Sequence, residues 1–315
     1  MITPNVFLKD QQFQNDKYLN LKRFFFPLYP LKIFKLNRII IFFALMISLK
    51  LVLTIISIKI PIFNLSISIS WVPVMILGWH FGMIYGLLIG VITDTITFFA
   101  FPSGALWFWM YAIQEPCIGF LAGLIGSWCK YKQKNISKNY LIEDIIIFQI
   151  ILVAFVTFSY CALLIMPWYD SKYKDVKDVM VLHDLYKYIA LAMLIIFFIV
   201  CELFFCFWFI KEKSRIMEHN FIFIYATLLV IISMTIFSFA LGPFSTIEYL
   251  KYKNGKIPGN YIKYGVIFYL MPRLIVQSIK VPIESLVLVA GIIFSQKYIQ
   301  QTIMYTNYQW KYNNK

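Results

Sequence analysis

The side chains best suited to chemistry in this 315-residue chain are charged groups inside long apolar runs. They include Asp94, Glu115, Arg273, Lys280 and Glu284. A carboxylate in such a place accepts hydrogen bonds from ligand amines, and an arginine donates two parallel hydrogen bonds to a ligand carboxylate. Because an ionised side chain is costly within hydrocarbon unless it is satisfied, each group predicts either a binding contact or an internal pair.

Asp94 ends a ladder of glycines spaced four residues apart. The ladder consists of Gly78, Gly82, Gly86 and Gly90, and a second set follows at Gly119, Gly123 and Gly126. A helix face without side chains lets two backbones approach closely, so the glycines predict tight helix packing. For Asp94 the sequence leaves two roles open, a structural hydrogen bond and a contact to a ligand.

Aromatic residues follow a turn with the sequence FPSG, Phe101–Gly104. Trp107 and Tyr111 are the candidate ligand contacts among them. They fit either an aromatic belt at the membrane interface or a wall on which a flat ligand stacks.

Near the carboxyl terminus, Arg273, Gln277 and Lys280 are spaced by four and three residues. This spacing places them on one helix face. Arg273 and Gln277 are candidate ligand contacts, with lipid-headgroup contact as the alternative for the arginine. Lys280 with Glu284, four residues later, predicts an internal ion pair. Glu115 beside Pro116 favours a structural role, and Lys50 has no obvious partner in the sequence.

The composition indicates a membrane protein. Apolar residues make up 61% of the chain and charged residues 14%, and the mean hydropathy is +0.74. Soluble domains carry roughly 25% charged residues. The net charge of +14 would suit nucleic acid in a soluble protein, but here the lysines separate apolar runs and predict contact with lipid headgroups instead. No nucleic-acid partner is expected.

We predict an all-α polytopic bundle of about eight spans. They are 38–60, 67–80, 82–101, 104–128, 141–166, 186–210, 221–246 and 265–296. The last holds Pro272 and Pro282 and is expected to kink or break. Basic loops predict both termini in the cytoplasm, with the loop 247–264 as an exception that is basic yet falls outside.

The expected organisation has five parts. They are an interfacial arm over 1–37 with no signal peptide, a first bundle part over 38–128, an inserted helix pair with its loops over 129–215, a second bundle part over 216–296 and a cytoplasmic tail over 297–315.

Signatures of common enzyme sites are absent from the sequence. It has no GxxxxGK[ST] loop for ATP, no HExxH and no GxSxG elbow. The three histidines and five cysteines show no metal-ligand spacing. We therefore expect no enzyme activity, no cofactor and no metal, and any uphill transport must draw on a partner or an ion gradient.

Taken together, several of these motifs resemble the S component of energy-coupling factor (ECF) vitamin transporters. In order they are Leu49–Leu53, Pro73, the glycine ladder into Thr93–Asp94, Phe101–Gly104 and a glycine-rich fourth span. Pro272–Leu274 with Lys280–Glu284 is most similar to the folate-specific branch. The resemblance covers about 39–128 and 221–296.

The resemblance implies a subunit that captures a vitamin at the outer face of a bacterial cell membrane. It further implies docking on one transmembrane coupling subunit and two ATPase subunits, which supply ATP hydrolysis. Ala44 and Ser48 match the pair of small residues that contacts the coupling subunit in this family.

The chain departs from the family in three ways. It carries the extra pair at about 141–210, it has Gly82–Met83 where Gly-Pro is common, and it lacks the Asn-Thr motif of the folate branch's fifth helix. Riboflavin or pantothenate therefore stand beside folate as cargo, and a membrane enzyme or a secondary transporter are alternatives from other classes.

Overall fold

The chain is described as a computed structural model for residues 37–56, 58–60, 65–101, 106–134, 138–165, 184–210 and 214–313. The predicted arm before Asn37 and the segment Pro102–Gly104 of the predicted turn lie outside these residues. The elements are α1 (Asn37–Ile55), β1 (Ile58–Ile60), β2 (Leu65–Ile67), α2 (Val72–Phe81), α3 (Met83–Ala100), α4 (Trp109–Ala112), α5 (Gln114–Lys134), α6 (Lys138–Ile165), α7 (Asp184–Ile210), α8 (Ser214–Ser233), a π-helix (Met234–Ala240), α9 (Leu241–Asn254), α10 (Gly259–Tyr264) and α11 (Ile267–Asn313).

The predicted all-α class is confirmed, with one small hairpin added. β1 and β2 pair antiparallel, with Ile58 opposite Ile67. The predicted first span, 38–60, therefore runs too far, because α1 ends at Ile55. A proline disfavours helical geometry in the residue before it, so Pro61 keeps Ile60 extended.

Six helices in the described part of the chain are long and apolar enough to cross a membrane. They cover Asn37–Ile55, Met83–Ala100, Ile142–Leu164, Tyr188–Cys206, Asn220–Asn254 and Ile267–Gln301. α2 is also apolar but has 10 residues. At 1.5 Å per residue it spans about 15 Å, roughly half the hydrocarbon thickness. The predicted second span thus exists as a helix too short to cross alone.

α2 and α3 lie side by side across Gly82, whose φ of 95° is favourable only for glycine. A Cβ added to Gly86 would come 3.1 Å from the Cα of Gly78, which shows how closely the two helices approach. The predicted ladder is therefore not one helical row. Gly78 belongs to α2, Gly82 makes the turn, and Gly86 and Gly90 belong to α3.

The centre of the bundle is α8. Every residue from Asn220 to Ile231 is buried, on all faces of the helix. A helix that is apolar all round is stable only inside a larger assembly. α8 packs against α5, α6 and α11 and continues through the π-helix into α9.

The predicted inserted pair forms α6 and α7, which pack on each other and on α8 and α11. Asp144 on α6 accepts hydrogen bonds from Lys132 on α5 at 3.2 Å and from the Tyr225 hydroxyl on α8 at 2.8 Å. Between the pair, Gln149 donates to Glu202 at 3.2 Å. The pair is thus joined to the rest of the bundle by polar contacts as well as by apolar packing.

α11 runs unbroken through both prolines, so the expected break at Pro272 or Pro282 does not occur. It also continues as a helix to Asn313, through most of the predicted tail. Helix 221–246 is likewise longer than predicted, since helical structure covers Ser214–Asn254 with the π-helix in its middle.

The candidate ligand cavity

A cavity of about 490 Å³ opens where the carboxyl-terminal parts of α1, α3 and α9 meet α4. Its polar wall is formed by Thr54, Asp94 and Thr97. This volume falls within the roughly 300–1,000 Å³ of small-molecule sites. Helix ends far apart in the chain therefore form one concave site.

Six aromatic residues make up most of the remaining wall: Phe98, Phe101, Trp107, Phe108, Tyr111 and Tyr249. The rings of Phe108, Tyr111 and Tyr249 contact one another edge to face, with centroids 5.7–5.9 Å apart. Such mutual packing fixes ring orientation before a ligand arrives. The wall is suited to a flat ring system.

Asp94 is the one charged side chain among the described residues that line the cavity. It is half-buried, and no hydrogen-bond partner for its carboxylate is found in the described part of the chain. An ionised carboxylate accepts several hydrogen bonds and donates none. Its oxygens are therefore available to donors within the cavity.

Beneath the polar wall, Lys50 on α1 forms an ion pair with Glu115 on α5. Lys50 is 1% exposed and also donates to the Thr97 hydroxyl at 2.8 Å. Glu115 accepts from the Thr93 hydroxyl at 3.1 Å. The cation that has no obvious partner in the sequence is thus neutralised by an acid 65 residues away.

Arg273 does not line the cavity but lies directly behind Tyr111, which does. Its guanidinium donates to the Thr246 hydroxyl at 2.8 Å, and Tyr111 shares that hydroxyl at 3.1 Å. Gln277 is buried and donates to Ser238 in the π-helix at 2.7 Å. Of the predicted ligand contacts, Asp94, Trp107 and Tyr111 are brought together, whereas Arg273 and Gln277 lie deeper in the bundle.

The predicted internal pair of Lys280 and Glu284 is confirmed, with nitrogen and oxygen 3.7 Å apart. The Lys280 ammonium also lies 4.3 Å from the ring centroid of Trp71, in a cation–π contact. Glu284 is fully buried, and its neighbour on α11 is its charge partner. These two charges do not face the cavity.

The glycines bring α5 against α2 and α3. A Cβ on Gly90 would meet the backbone of Pro116 at 2.5 Å, and a Cβ on Gly126 would meet the Trp79 carbonyl at 2.6 Å. Gly119 and Gly123 face the backbones of Gly86 and Gly82 at still closer range. This packing places Glu115 of α5 beside Thr93 and Thr97 of α3.

Sequence reasoning named Lys50 and Glu115 without pairing them, and it missed Thr246 and Tyr249. Lys50 and Glu115 are two unpaired opposite charges in apolar runs, and that signal could have joined them. Thr246 and Tyr249 carry no comparable signal, because nothing in the sequence shows which face of α9 turns towards α4.

Comparison with known proteins now adds the family. The family model described as "ECF transporter, substrate-specific component" matches residues 38–210. This chain belongs to that family. The match runs through α6 and α7, so these two helices fall within the part of this S component that the family model recognises.

Two relatives extend over most of the chain. "Uncharacterized protein MG313 homolog" of Mycoplasma pneumoniae is 30% identical over 91% of this chain and 99% of its own length. "Uncharacterized protein MG313" of Mycoplasma genitalium is 30% identical over 82% of this chain and 90% of its own. No solved structure matches this S component significantly.

Ala44 and Ser48, the predicted docking pair, lie on α1 with both side chains exposed. Leu45 beside them is 61% exposed. Lys50 points from the same helix into the bundle and is buried. In this S component, α1 therefore presents one face outward and uses another to reach the cavity floor.

Proposed function

We propose that this S component captures a vitamin, with folate as its cargo, and delivers it through an ATP-driven ECF transporter in the bacterial cell membrane. The observation that carries the proposal is an aromatic cavity whose described lining holds one carboxylate, in a chain of this family. A pterin ring is flat and carries amino and ring N–H donors, which suit the aromatic wall and Asp94. The tail motif around Arg273 is the reason to choose folate.

The proposed orientation places both termini in the cytoplasm and the cavity at the outer face. Thr54, Phe101 and Tyr249 line one cavity, so the carboxyl-terminal parts of α1, α3 and α9 lie at the same end of the bundle. Lys130 donates to the carbonyls of Trp79 and His80 at the opposite end. Basic residues at that end support its assignment to the cytoplasmic side.

The proposed partners are one transmembrane coupling subunit and two ATPase subunits. The whole sequence lacks an ATP-binding loop, so ATP hydrolysis must come from other chains. Ala44 and Ser48 are proposed as the docking pair, since two small exposed side chains one turn apart allow a partner helix to approach closely. The proposed six-helix core consists of α1, the short α2, α3, α5, the continuous helix α8–α9 and α11, and α6 and α7 are proposed as an addition to it.

Co-purification tests the transport assignment. The tagged S component is expressed in its host, solubilised in detergent and isolated, and we expect a coupling subunit and two ATPases to accompany it. Replacing Ser48 with Trp should abolish this association. Replacing Ile150, exposed on α6, with Trp is the matched control and should leave it intact. Purification of the wild-type chain alone would contradict the assignment.

Equilibrium binding of folate to the purified chain tests the cargo. We expect micromolar or tighter binding, and weaker binding by Arg273→Ala, because the arginine is proposed to bind the glutamate tail. Arg273 and Tyr111 share the Thr246 hydroxyl, so loss of the arginine also perturbs the cavity wall. Thr246→Val removes that shared hydroxyl but keeps the arginine, and it serves as the comparison. Binding of riboflavin or pantothenate in place of folate would contradict folate as the cargo and leave the transport role of the family unchanged.

A further inference from the structure

The carboxyl-terminal end of α9 begins a basic segment, 248–264, which has four lysines and one glutamate. An excess of lysine is usual for cytoplasmic loops, yet this segment lies at the cavity end of the bundle. Lysines in the last turn of a helix interact favourably with its dipole, but Lys256 lies beyond the end of α9, after Gly255. A local effect of the helix therefore does not account for the whole segment.

Aromatic contacts hold this end of α9 beside the cavity. Tyr249 lines the cavity, and the centroid of its ring lies 5.8 Å from that of Phe108. The ring of Tyr252 packs on Phe108 as well, with centroids 5.9 Å apart. The Gly255 amide donates to the Lys251 carbonyl at 2.9 Å and closes the helix. The backbone that carries the lysines is thus anchored at the mouth of the cavity.

Two of these lysines carry charge that no described side chain neutralises. Lys251 forms an ion pair with Glu248, with nitrogen and oxygen 3.7 Å apart. Lys253 and Lys256 are exposed, and neither has a hydrogen-bond or ion-pair partner in the described part of the chain. Lys253 follows Tyr249 by four residues, which places it on the helix face that meets the cavity. We call Lys253 and Lys256 the basic rim.

A positive rim changes how fast charged molecules reach a cavity. Low-dielectric walls focus the field of such charges, which raises the association rate of oppositely charged molecules by about 10–1,000-fold. The field extends about 8 Å at physiological ionic strength. One helical turn, about 5.4 Å, separates Lys253 from the cavity-lining Tyr249. The mouth of the cavity therefore lies within the field of the rim.

We infer that the basic rim attracts dissolved anions, molecules with a free carboxylate or phosphate, and speeds their entry into the cavity. The inference rests on the proposed role in cargo capture and specifies that the cargo is anionic. The rim acts on the approaching molecule and leaves its dissociation unchanged, because neither lysine is among the residues that line the cavity. Lipid headgroups carry the same phosphate chemistry, but the position of the rim beside the cavity favours the dissolved anion.

Thiol reagents of opposite charge test the rim without knowledge of the cargo. Leu106 lines the cavity and is 50% exposed, so Leu106→Cys in a cysteine-free, full-length chain provides the reporter. In neutral detergent it reacts with anionic sulfonatoethyl and cationic trimethylammonioethyl methanethiosulfonate. Adding Lys253→Gln and Lys256→Gln should lower the ratio of the anionic to the cationic rate about fivefold. The difference should vanish in about 1 M salt, where the field extends about 3 Å.

A matched control and a lipid comparison sharpen this test. Lys297→Gln removes an exposed lysine beyond Ser295, at the end of the bundle where Ser295 bonds His80, and should leave the ratio unchanged. An unchanged ratio in the rim variant, or a change that persists in high salt, would overturn the inference. Loss of the difference in nanodiscs of anionic lipid, with its retention in neutral lipid, would assign the rim to lipid headgroups instead.

Stopped-flow binding of folate separates this inference from the proposed function. The rim variant should lower the association rate about fivefold at low salt and leave the dissociation rate unchanged, and Lys253→Arg with Lys256→Arg should restore it. If folate binds at a rate that ignores the rim, the cargo stands and the rim inference is wrong. If folate does not bind but the reagent ratio responds to the rim, the rim inference stands and folate is wrong.

Discussion

The ammonium group of Lys50 on α1 forms an ion pair with the carboxylate of Glu115 on α5, and both also bond threonines of α3. Three helices therefore meet at one charged contact below the cavity. Polar contacts can fix helix register in hydrocarbon, where apolar packing alone gives little orientation. The pair holds Thr97 at the cavity wall, where Asp94 is the one charged side chain among the described lining residues.

Removing one partner of this pair should destabilise the bundle strongly. Lys50→Met or Glu115→Leu leaves an uncompensated buried charge, with an expected cost of about 3–5 kcal/mol. The double variant should cost less than the sum of the two single variants. Denaturant-induced unfolding in detergent measures all three, and strict additivity would show that the two residues do not interact.

A methyl group at the contact of α3 and α5 should also destabilise the protein. In Gly119→Ala the new Cβ would overlap the Gly86 carbonyl, a backbone atom that cannot rotate away. We expect a loss of about 1–3 kcal/mol, as for an overpacked core. Gly259→Ala is the control, since nothing lies within 4 Å of its Cβ position and it should be neutral. Equal unfolding midpoints for the two variants would contradict the packing described for α5.

The contact of α6 with the bundle depends on Asp144. Asp144→Asn weakens the bond from Lys132, and Tyr225→Phe removes the second donor. Each should lower the free energy of unfolding by about 1.5–3 kcal/mol, the range for hydrogen bonds to charged groups. Replacing Glu143, exposed at the preceding position of the same helix, with Gln should have little effect. Protease sensitivity of α6 provides a second readout, and unchanged sensitivity in Asp144→Asn would remove this anchor.

The orientation of the bundle can be read from single cysteines placed in a cysteine-free background. A cysteine at Lys253 should react with a membrane-impermeant maleimide in intact cells, and one at Tyr131 only after permeabilisation. Both positions are exposed, and they lie at opposite ends of the bundle. The reverse pattern would place the cavity in the cytoplasm.

Two lysines of the basic segment at the predicted outer end, Lys251 and Lys253, have a local structural role. They occupy the last turn of α9, before Gly255 at a φ of 66°. Cations near a helix carboxyl terminus interact favourably with its dipole. A local reason for these lysines therefore exists that does not depend on the side of the membrane.

The long apolar runs predicted the helices well, because about 20 apolar residues suffice to specify a membrane-length helix. Their ends were predicted less well. Ile58–Ile60 continues the apolar run of α1 with one lysine, Lys59, yet forms a strand beside Pro61, and α11 passes through Pro272 and Pro282 without a break. Hydropathy does not distinguish a strand from a helix in so short a segment.

The sequence predicted the candidate site only in part. Asp94 is recognisable as an ionisable residue in an apolar run, and Trp107 and Tyr111 as aromatics beside a turn. The position of Arg273 behind the cavity wall was not predictable, because it depends on how the tertiary structure places its guanidinium beside Thr246 and Tyr111. Spacing along one helix gives a face but not the neighbour that the face meets.

The sequence by itself determined that the chain is an all-helical membrane protein, since its apolar composition and the length of its apolar segments fit only a lipid environment. It also identified the charged residues that need a polar partner and the glycines that need a closely packed helix. Only the tertiary structure decided those partners: Glu115 for Lys50, Gly86 for Gly119, and Thr246 between Tyr111 and Arg273. Contacts between distant helices depend on how their backbones approach, and that geometry is a property of the whole bundle.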